Sequence, residues 1–357
     1  MAVISFARGV PAPECLPVEA LADCARAALE RDGRTILSYG PAAGYGPLRA
    51  LLAEQHGVDP SRIFLTNGSL QGFVFLAQRL APGRRVLVEQ PTYDRPLKIL
   101  RELGADVVHV DGDGDGLDPD ALERALAAGP PPAFLYLIPT FQNPSGRTLT
   151  LERRRRVVEL AAEHDLLVLE DDPYGLVRYE GEPLPSLFEL SGGATGYSSS
   201  YSKTISPGLR VGWFVLPDAL AREIEASAGA TYITPVQLGQ ATVFEFLERG
   251  LFDANVERVR GLLAARRDAM LTALERDLPE LAVGRPEGGY FLWGELDGLD
   301  AGELLARAEE AGVTFVKGTD FGGPASTFRL AFSFVSLEEI DEGVARLKAA
   351  LPVSLRG

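Results

Sequence analysis

Lys203 lies in Ser200-Tyr201-Ser202-Lys203-Thr204-Ile205-Ser206-Pro207-Gly208-Leu209-Arg210, at the end of a strand-like run. A lysine amine forms a Schiff base with an aldehyde, and burial helps by lowering its pKa. Arg210 offers a planar fork suited to phosphate. Ser200 and Ser202 offer hydroxyls to the same group. A lone Ser-x-Lys would read as a polar loop with an exposed lysine. The Pro-Gly-Leu-Arg that follows at short range makes this segment far more specific.

Four other segments place reactive side chains where apolar runs end. In Glu170-Asp171-Asp172-Pro173-Tyr174-Gly175 the acids follow such a run. A carboxylate there can hold a pyridinium proton and keep a ring electron-withdrawing. Tyr174 can reach the same ligand. An acidic turn closed by Pro173 explains the segment equally well. In Pro139-Thr140-Phe141-Gln142-Asn143-Pro144-Ser145-Gly146, Asn143 can donate through its amide, or the segment is a turn built on Asn-Pro and Ser-Gly. Thr66-Asn67-Gly68-Ser69-Leu70-Gln71-Gly72 is a strand-to-helix junction, whose backbone N–H groups can hold phosphate. In Glu89-Gln90-Pro91-Thr92-Tyr93, Tyr93 can stack on a flat ring or simply pack. Lastly, Arg329 interrupts the alternating strand Phe328-Arg329-Leu330-Ala331-Phe332-Ser333 and is costly to bury unpaired. It meets a carboxylate of the protein or awaits one from a substrate.

The elements that position these residues follow from the hydrophobic pattern. From about Arg62 to Pro217, short runs apolar throughout (63–65, 86–88, 107–108, 134–138, 166–169, 211–216) alternate with helical patterns. That alternation predicts a three-layer α/β/α domain with a mostly parallel sheet, over residues 41–250. Strand ends are the ligand-binding edge of such a sheet. Within it, Arg153 to Arg156 reads as a solvated helix face. Phe252 to Glu275 reads as one long helix. A second helix follows around Ala301 to Ala311, then a strand at Phe328 to Phe334 and a last helix capped by Ser336 and Glu339. These elements predict a smaller α+β domain over residues 251–357, against which residues 1–40 pack.

Composition excludes several function classes. The 357 residues carry a formal net charge of −15, which disfavours nucleic acid and anionic lipid. The two cysteines, Cys15 and Cys24, fit no zinc or redox spacing and read as reduced thiols. His56, His109 and His164 lie far apart, so neither a metal site nor a Ser-His-Asp triad is expected. No run approaches the roughly 20 apolar residues of a membrane span, and no signal peptide is visible. A cytoplasmic protein is expected.

Taken together and in this order, the motifs resemble the fold-type I aminotransferases (class I/II) that use pyridoxal 5′-phosphate, especially the 2-aminoadipate and kynurenine aminotransferase branch. The likeness runs from Ser5-Phe6-Ala7 to the last helix. It implies that Lys203 carries the cofactor and that Asp171, three residues before Tyr174, partners the ring nitrogen. Tyr174 and Asn143 would donate to the phenolic oxygen. Gly68, Ser69, Ser200, Ser202 and Arg210 would form the phosphate cup. Tyr93 would stack on the ring and Arg329 would anchor the substrate α-carboxylate. Tyr39 would reach the phosphate of the other subunit in a homodimer.

The chain departs from the branch at three points. Leu70 stands where glutamine is usual, leaving only a backbone N–H for the phosphate. The N-terminal helix by which the branch helps recognise the substrate side chain is not expected ahead of Ser5. Arg8 replaces a more usual glycine. Arg8 either pairs with an acidic substrate side chain or is a loop residue, free in solvent or paired with Glu14. The reaction implied is transamination between an L-amino acid and a 2-oxo acid. A lyase or decarboxylase on the same scaffold is a second reading, although a carboxylate paired with Arg329 is a poor one to lose. A third is the effector domain of a transcription regulator, for which no DNA-binding domain is expected ahead of Ser5. A nicotinamide dehydrogenase is remote, since no G-x-G-x-x-G follows a first strand.

Overall fold

The apolar runs form strands of a seven-stranded sheet in the computed structural model, which describes residues 3–352. Across the sheet the order is Ile63–Thr66, Gly212–Val215, Gly196–Ser200, Val168–Asp171, Leu135–Leu137, Arg85–Glu89, Asp106–Val110. Neighbours are parallel except around Gly212–Val215, which is antiparallel to both flanking strands.

Alternate side chains of these strands enter different cores, as a pleat of period two requires. Val86, Val88, Tyr136 and Phe214 pack with Phe73 and Leu76 of helix Ser69–Leu80. Leu87, Leu135, Leu137 and Val168 pack on the other face with Leu122 of Pro119–Ala127 and Val157 of Leu151–Glu163. Helices therefore cover both faces, and the domain is three-layered, as expected.

The expectation for Arg153 to Arg156 is corrected. Arg154 shares a helix face with Val157 and Ala161 and is 1% exposed. It donates to the carbonyls of Leu149, Pro139 and Pro185 and to Thr140 Oγ1, at 2.8 to 3.1 Å. A buried arginine with its donors satisfied by backbone clamps the loop that follows Leu135–Leu137.

Beyond the long helix Phe252–Asp277 comes a four-stranded antiparallel sheet in the order Ala282–Val283, Phe291–Glu295, Thr327–Ala331, Val316–Lys317. The strand expected to reach Phe334 stops at Ala331. Ser333 turns to donate its hydroxyl to Val10 O at 2.9 Å, and its carbonyl accepts from Arg266. Ser336 and Glu339 form the expected capping box of Leu337–Ala350.

The N-terminal forty residues divide between the two parts of the fold. Ile4–Ser5 pairs in parallel with Val313–Thr314 of the C-terminal part. Helix Val18–Ile36 instead packs along Gln237–Glu248. Its Cys24, Ala28 and Ile36 enter the core of Ile63, Trp213 and Phe246. An amphipathic pattern shows that a helix has a face to bury, not which partner receives it.

Candidate active site

Topology brings the predicted residues to one edge of the sheet. Gly68, Tyr93, Asn143, Asp171 and Lys203 all sit at or just beyond the C-terminal ends of strands that run the same way. Arg210 precedes Gly212–Val215, whose reversed direction puts its start at that edge.

Lys203 Nζ donates to the carbonyl of Gly9 at 2.8 Å and lies 5.6 Å from the ring centre of Tyr174 and 5.1 Å from that of Tyr290. Tyr290 also donates its hydroxyl to Lys203 O at 2.9 Å. Burial pushes the amine down to about 8, with Arg329 and Arg210 pressing the same way and Asp171 opposing them. Burial pushes the Asp171 carboxyl up to about 6, against hydroxyl donors from Tyr136 and Ser198. Burial also raises Tyr93 to about 12 and lifts Tyr174 well above an ordinary phenol. Two opposite titratable groups, both moved toward neutral pH, are characteristic of reactive sites.

Arg329 meets no carboxylate among the described residues. Its Nη1 donates to Asn143 Oδ1 at 2.8 Å and its Nη2 to Ala7 O at 2.9 Å, while its buried Nε has no partner. The guanidinium lies 4.3 Å from the ring centre of Phe291 and 4.9 Å from that of Phe321. A desolvated cation held only by neutral acceptors favours an incoming anion.

A second place suited to an anion lies around Gly68. Helix Ser69–Leu80 starts at Gly68 with no side-chain cap, so its first N–H groups remain open to an anion. Gly68 has φ +88°, and a Cβ there would lie 2.2 Å from Arg210 Nη2. Arg210 Nη2 donates to Asn67 O at 3.0 Å, which aims its fork across that turn. Ser200 Oγ lies 2.8 Å from Ser202 Oγ, both at the strand end that leads to Lys203. Leu70, half-buried, brings only its backbone.

These observations fit a phosphorylated aldehyde with a protonatable ring. The uncapped helix start at Gly68 beside Arg210 suits a phosphate, the Lys203 amine loses its proton far more readily than an exposed lysine, and Asp171 offers a buried carboxylate. Residues 7–9 close over the site through the carbonyls of Ala7 and Gly9, and a Cβ on Gly9 would lie 2.5 Å from Phe291 Cε1.

Two predicted residues stand apart from this group. Tyr39 is 82% exposed. Arg8 is exposed, with its guanidinium 4.2 Å from the ring centre of Phe334. Glu14 pairs with Arg266 and not with Arg8. Sequence reasoning missed Tyr136, Ser198, Tyr290 and Gly9. Tyr136 is hidden inside an apolar run, and Gly9 acts through its backbone.

The family described as aminotransferase class I and II matches residues 3–347. The 2-aminoadipate transaminase of Thermus thermophilus is 43% identical, covering 98% of this chain and 90% of its own. Aromatic-amino-acid aminotransferase 1 of Thermococcus litoralis is 34% identical over 99% of this chain and 89% of its own. Among solved structures, the α-aminoadipate aminotransferase of Thermus thermophilus complexed with N-(5′-phosphopyridoxyl)-L-leucine superposes with a TM-score of 0.92. It is 39% identical and the match covers 98% of this chain and 92% of that one.

Proposed function

The chain belongs to the class I and II aminotransferases, and from that premise we propose which of its residues perform the reaction and which substrates it prefers. It is a fold-type I transaminase that uses pyridoxal phosphate and moves an amino group from an amino acid to a 2-oxo acid. When bound, that cofactor supplies an aldehyde for the amino group and an electron-withdrawing ring. The observation that carries the proposed division of labour is the pair of groups moved toward neutrality, Lys203 and Asp171, at one sheet edge.

In this reading Lys203 Nζ is the amine that holds the aldehyde and then the base that takes the proton from the substrate α-carbon. With its pKa lowered to about 8, about a tenth of the amine is unprotonated at pH 7, far more than for an exposed lysine. Asp171 holds a proton on the ring nitrogen. Tyr174 and Asn143 donate to the ring oxygen, and Asn143 is fixed for this by accepting from Arg329 through Oδ1. Tyr93 stacks on the ring. Gly68, Ser69, Leu70, Ser200, Ser202 and Arg210 hold the phosphate, Leu70 through its backbone. Arg329 binds the substrate α-carboxylate, and its unpartnered Nε supports that role. Mixing the purified protein with an amino acid should convert the yellow form to the pyridoxamine form and release one equivalent of 2-oxo acid. Lys203→Ala should fold and abolish this conversion. Retained conversion in that variant would remove Lys203 from the centre of the reaction.

The homodimer is supported by an exposed patch beside the phosphate site. Leu37, Tyr39, Ile233 and Val236 are all more than half exposed. Gln237 Nε2 donates to Ser38 O, and Val236 N donates to Asn67 Oδ1, next to Gly68. An apolar patch at that place suits a twofold interface in which Tyr39 enters the partner's site. Sizing at micromolar concentration should give a dimer. A fully active monomer would contradict it.

Substrate preference is carried by Arg8. It stands between Ala7 and Gly9, whose carbonyls both touch site residues, and among the described residues it pairs with no acid. We assign it to an acidic substrate side chain, such as that of glutamate or 2-aminoadipate. A hydrogen bond to a charged group contributes about 1.5–3 kcal/mol. Arg8→Ala should therefore lose about tenfold to a hundredfold in kcat/KM for glutamate and 2-aminoadipate and little for leucine. Equal losses for all three, or none, would sink the assignment.

A further inference from the structure

Asp171 is held on both carboxylate oxygens by neutral hydroxyls. Tyr136 donates to Oδ2 at 2.7 Å and Ser198 to Oδ1 at 2.8 Å. The donors come from the two strands that flank Val168–Asp171. Ser198 is the register partner of Asp171, and Tyr136 is the partner of Leu169, two residues back on the same pleat face. Sheet register thus brings the two hydroxyls together on one carboxylate, and both oxygens are tied, so its plane is fixed.

The chemistry of the clamp is selective. A lysine or arginine paired with Asp171 would neutralise its charge. Hydroxyl donors favour the charged form of a carboxylate and leave its charge available. Burial and the neighbouring Asp172 work against the anion, and Lys203 works with it. Glu89, Tyr93 and Tyr174 also face Asp171. Glu89 is itself pushed up to about 8 by burial, so it adds little negative charge at neutral pH. Tyr136 holds its proton firmly, because burial and the Asp171 charge raise its phenol well above the usual range. It is therefore a donor throughout the working pH range.

We infer that Tyr136, together with Ser198, is a positioning residue that fixes the orientation of the Asp171 carboxylate and keeps it anionic in a buried place. The consequence for catalysis rests on the reading of Asp171 as the partner of the ring nitrogen, since only an anion there can retain a proton on that nitrogen. The clamp itself does not depend on that reading.

Tyr136→Phe removes the hydroxyl and keeps the ring, which packs edge-on against Phe73 at 5.1 Å between centres. Ser198→Ala removes the second donor with a smaller change of shape. In the full-length cofactor-free protein, aspartate carboxyl ¹³C NMR should show Asp171 titrating roughly one unit higher in either variant. An unmoved Asp171 titration in both variants, each with wild-type circular dichroism, would overturn the proposal. In the holoenzyme, the pH profile of cofactor absorbance should move with it. A moved Asp171 titration beside an unmoved absorbance profile would uphold the clamp and overturn the assignment of Asp171 to the ring nitrogen.

Discussion

A lysine amine is a nucleophile and a base only when it has lost its proton, and in water that happens near pH 10.4. The structure depends on bringing this event down toward neutrality. Burial of Lys203 supplies the largest push, and the positive fields of Arg329 and Arg210 add to it. Each contributor also has its own place in the site. The same arginines that disfavour a protonated lysine face the two anion positions, one beside Asn143 and one beside Gly68. Asp171 opposes them and limits how far the amine falls. The set is therefore coupled, and no member can be altered without moving the others.

The coupling explains the architecture around the site. Six strands deliver their ends to one edge, and the reversed strand Gly212–Val215 delivers its start there. Gly212 has no side chain where one would lie 2.3 Å from the backbone nitrogen of Ser69, so the Gly68–Ser69 turn sits directly against that strand. Buried Arg154 holds the loop leading to Asn143 through backbone carbonyls. The N-terminal segment meets the far side of the site through two carbonyls, with exposed Arg8 between them over the Phe334 ring. Among the described residues no helix is long and apolar enough to cross a membrane.

Much of this was legible in the sequence, for definable reasons. Strands buried on both faces are apolar throughout, so most of the parallel sheet announces itself, and turns at strand ends mark the reactive edge. Gly196–Ser200 reads as polar because Ser198 and Ser199 spend their hydroxyls on Asp171 and on the carbonyl of Asp172. Tyr136 is invisible for the opposite reason, as one hydroxyl within an apolar run. Arg154 was masked by basic neighbours that do face solvent, and only helix phase separates it from them. The packing of Val18–Ile36 on Gln237–Glu248 is a long-range choice that no local pattern encodes. Gly9 contributes a carbonyl, and backbone groups carry no sequence signature.

The fold itself, before any ligand arrives, brings proton loss from Lys203 down from the ordinary lysine range to about 8. The direct measurement is the rate at which a small amine-selective reagent labels Lys203 in the full-length cofactor-free protein across pH, read by peptide mass spectrometry. The account predicts a rate that rises with pH and levels off above about 8, the value to which burial brings the amine. A rate still climbing beyond pH 10, as for an exposed lysine, would contradict it.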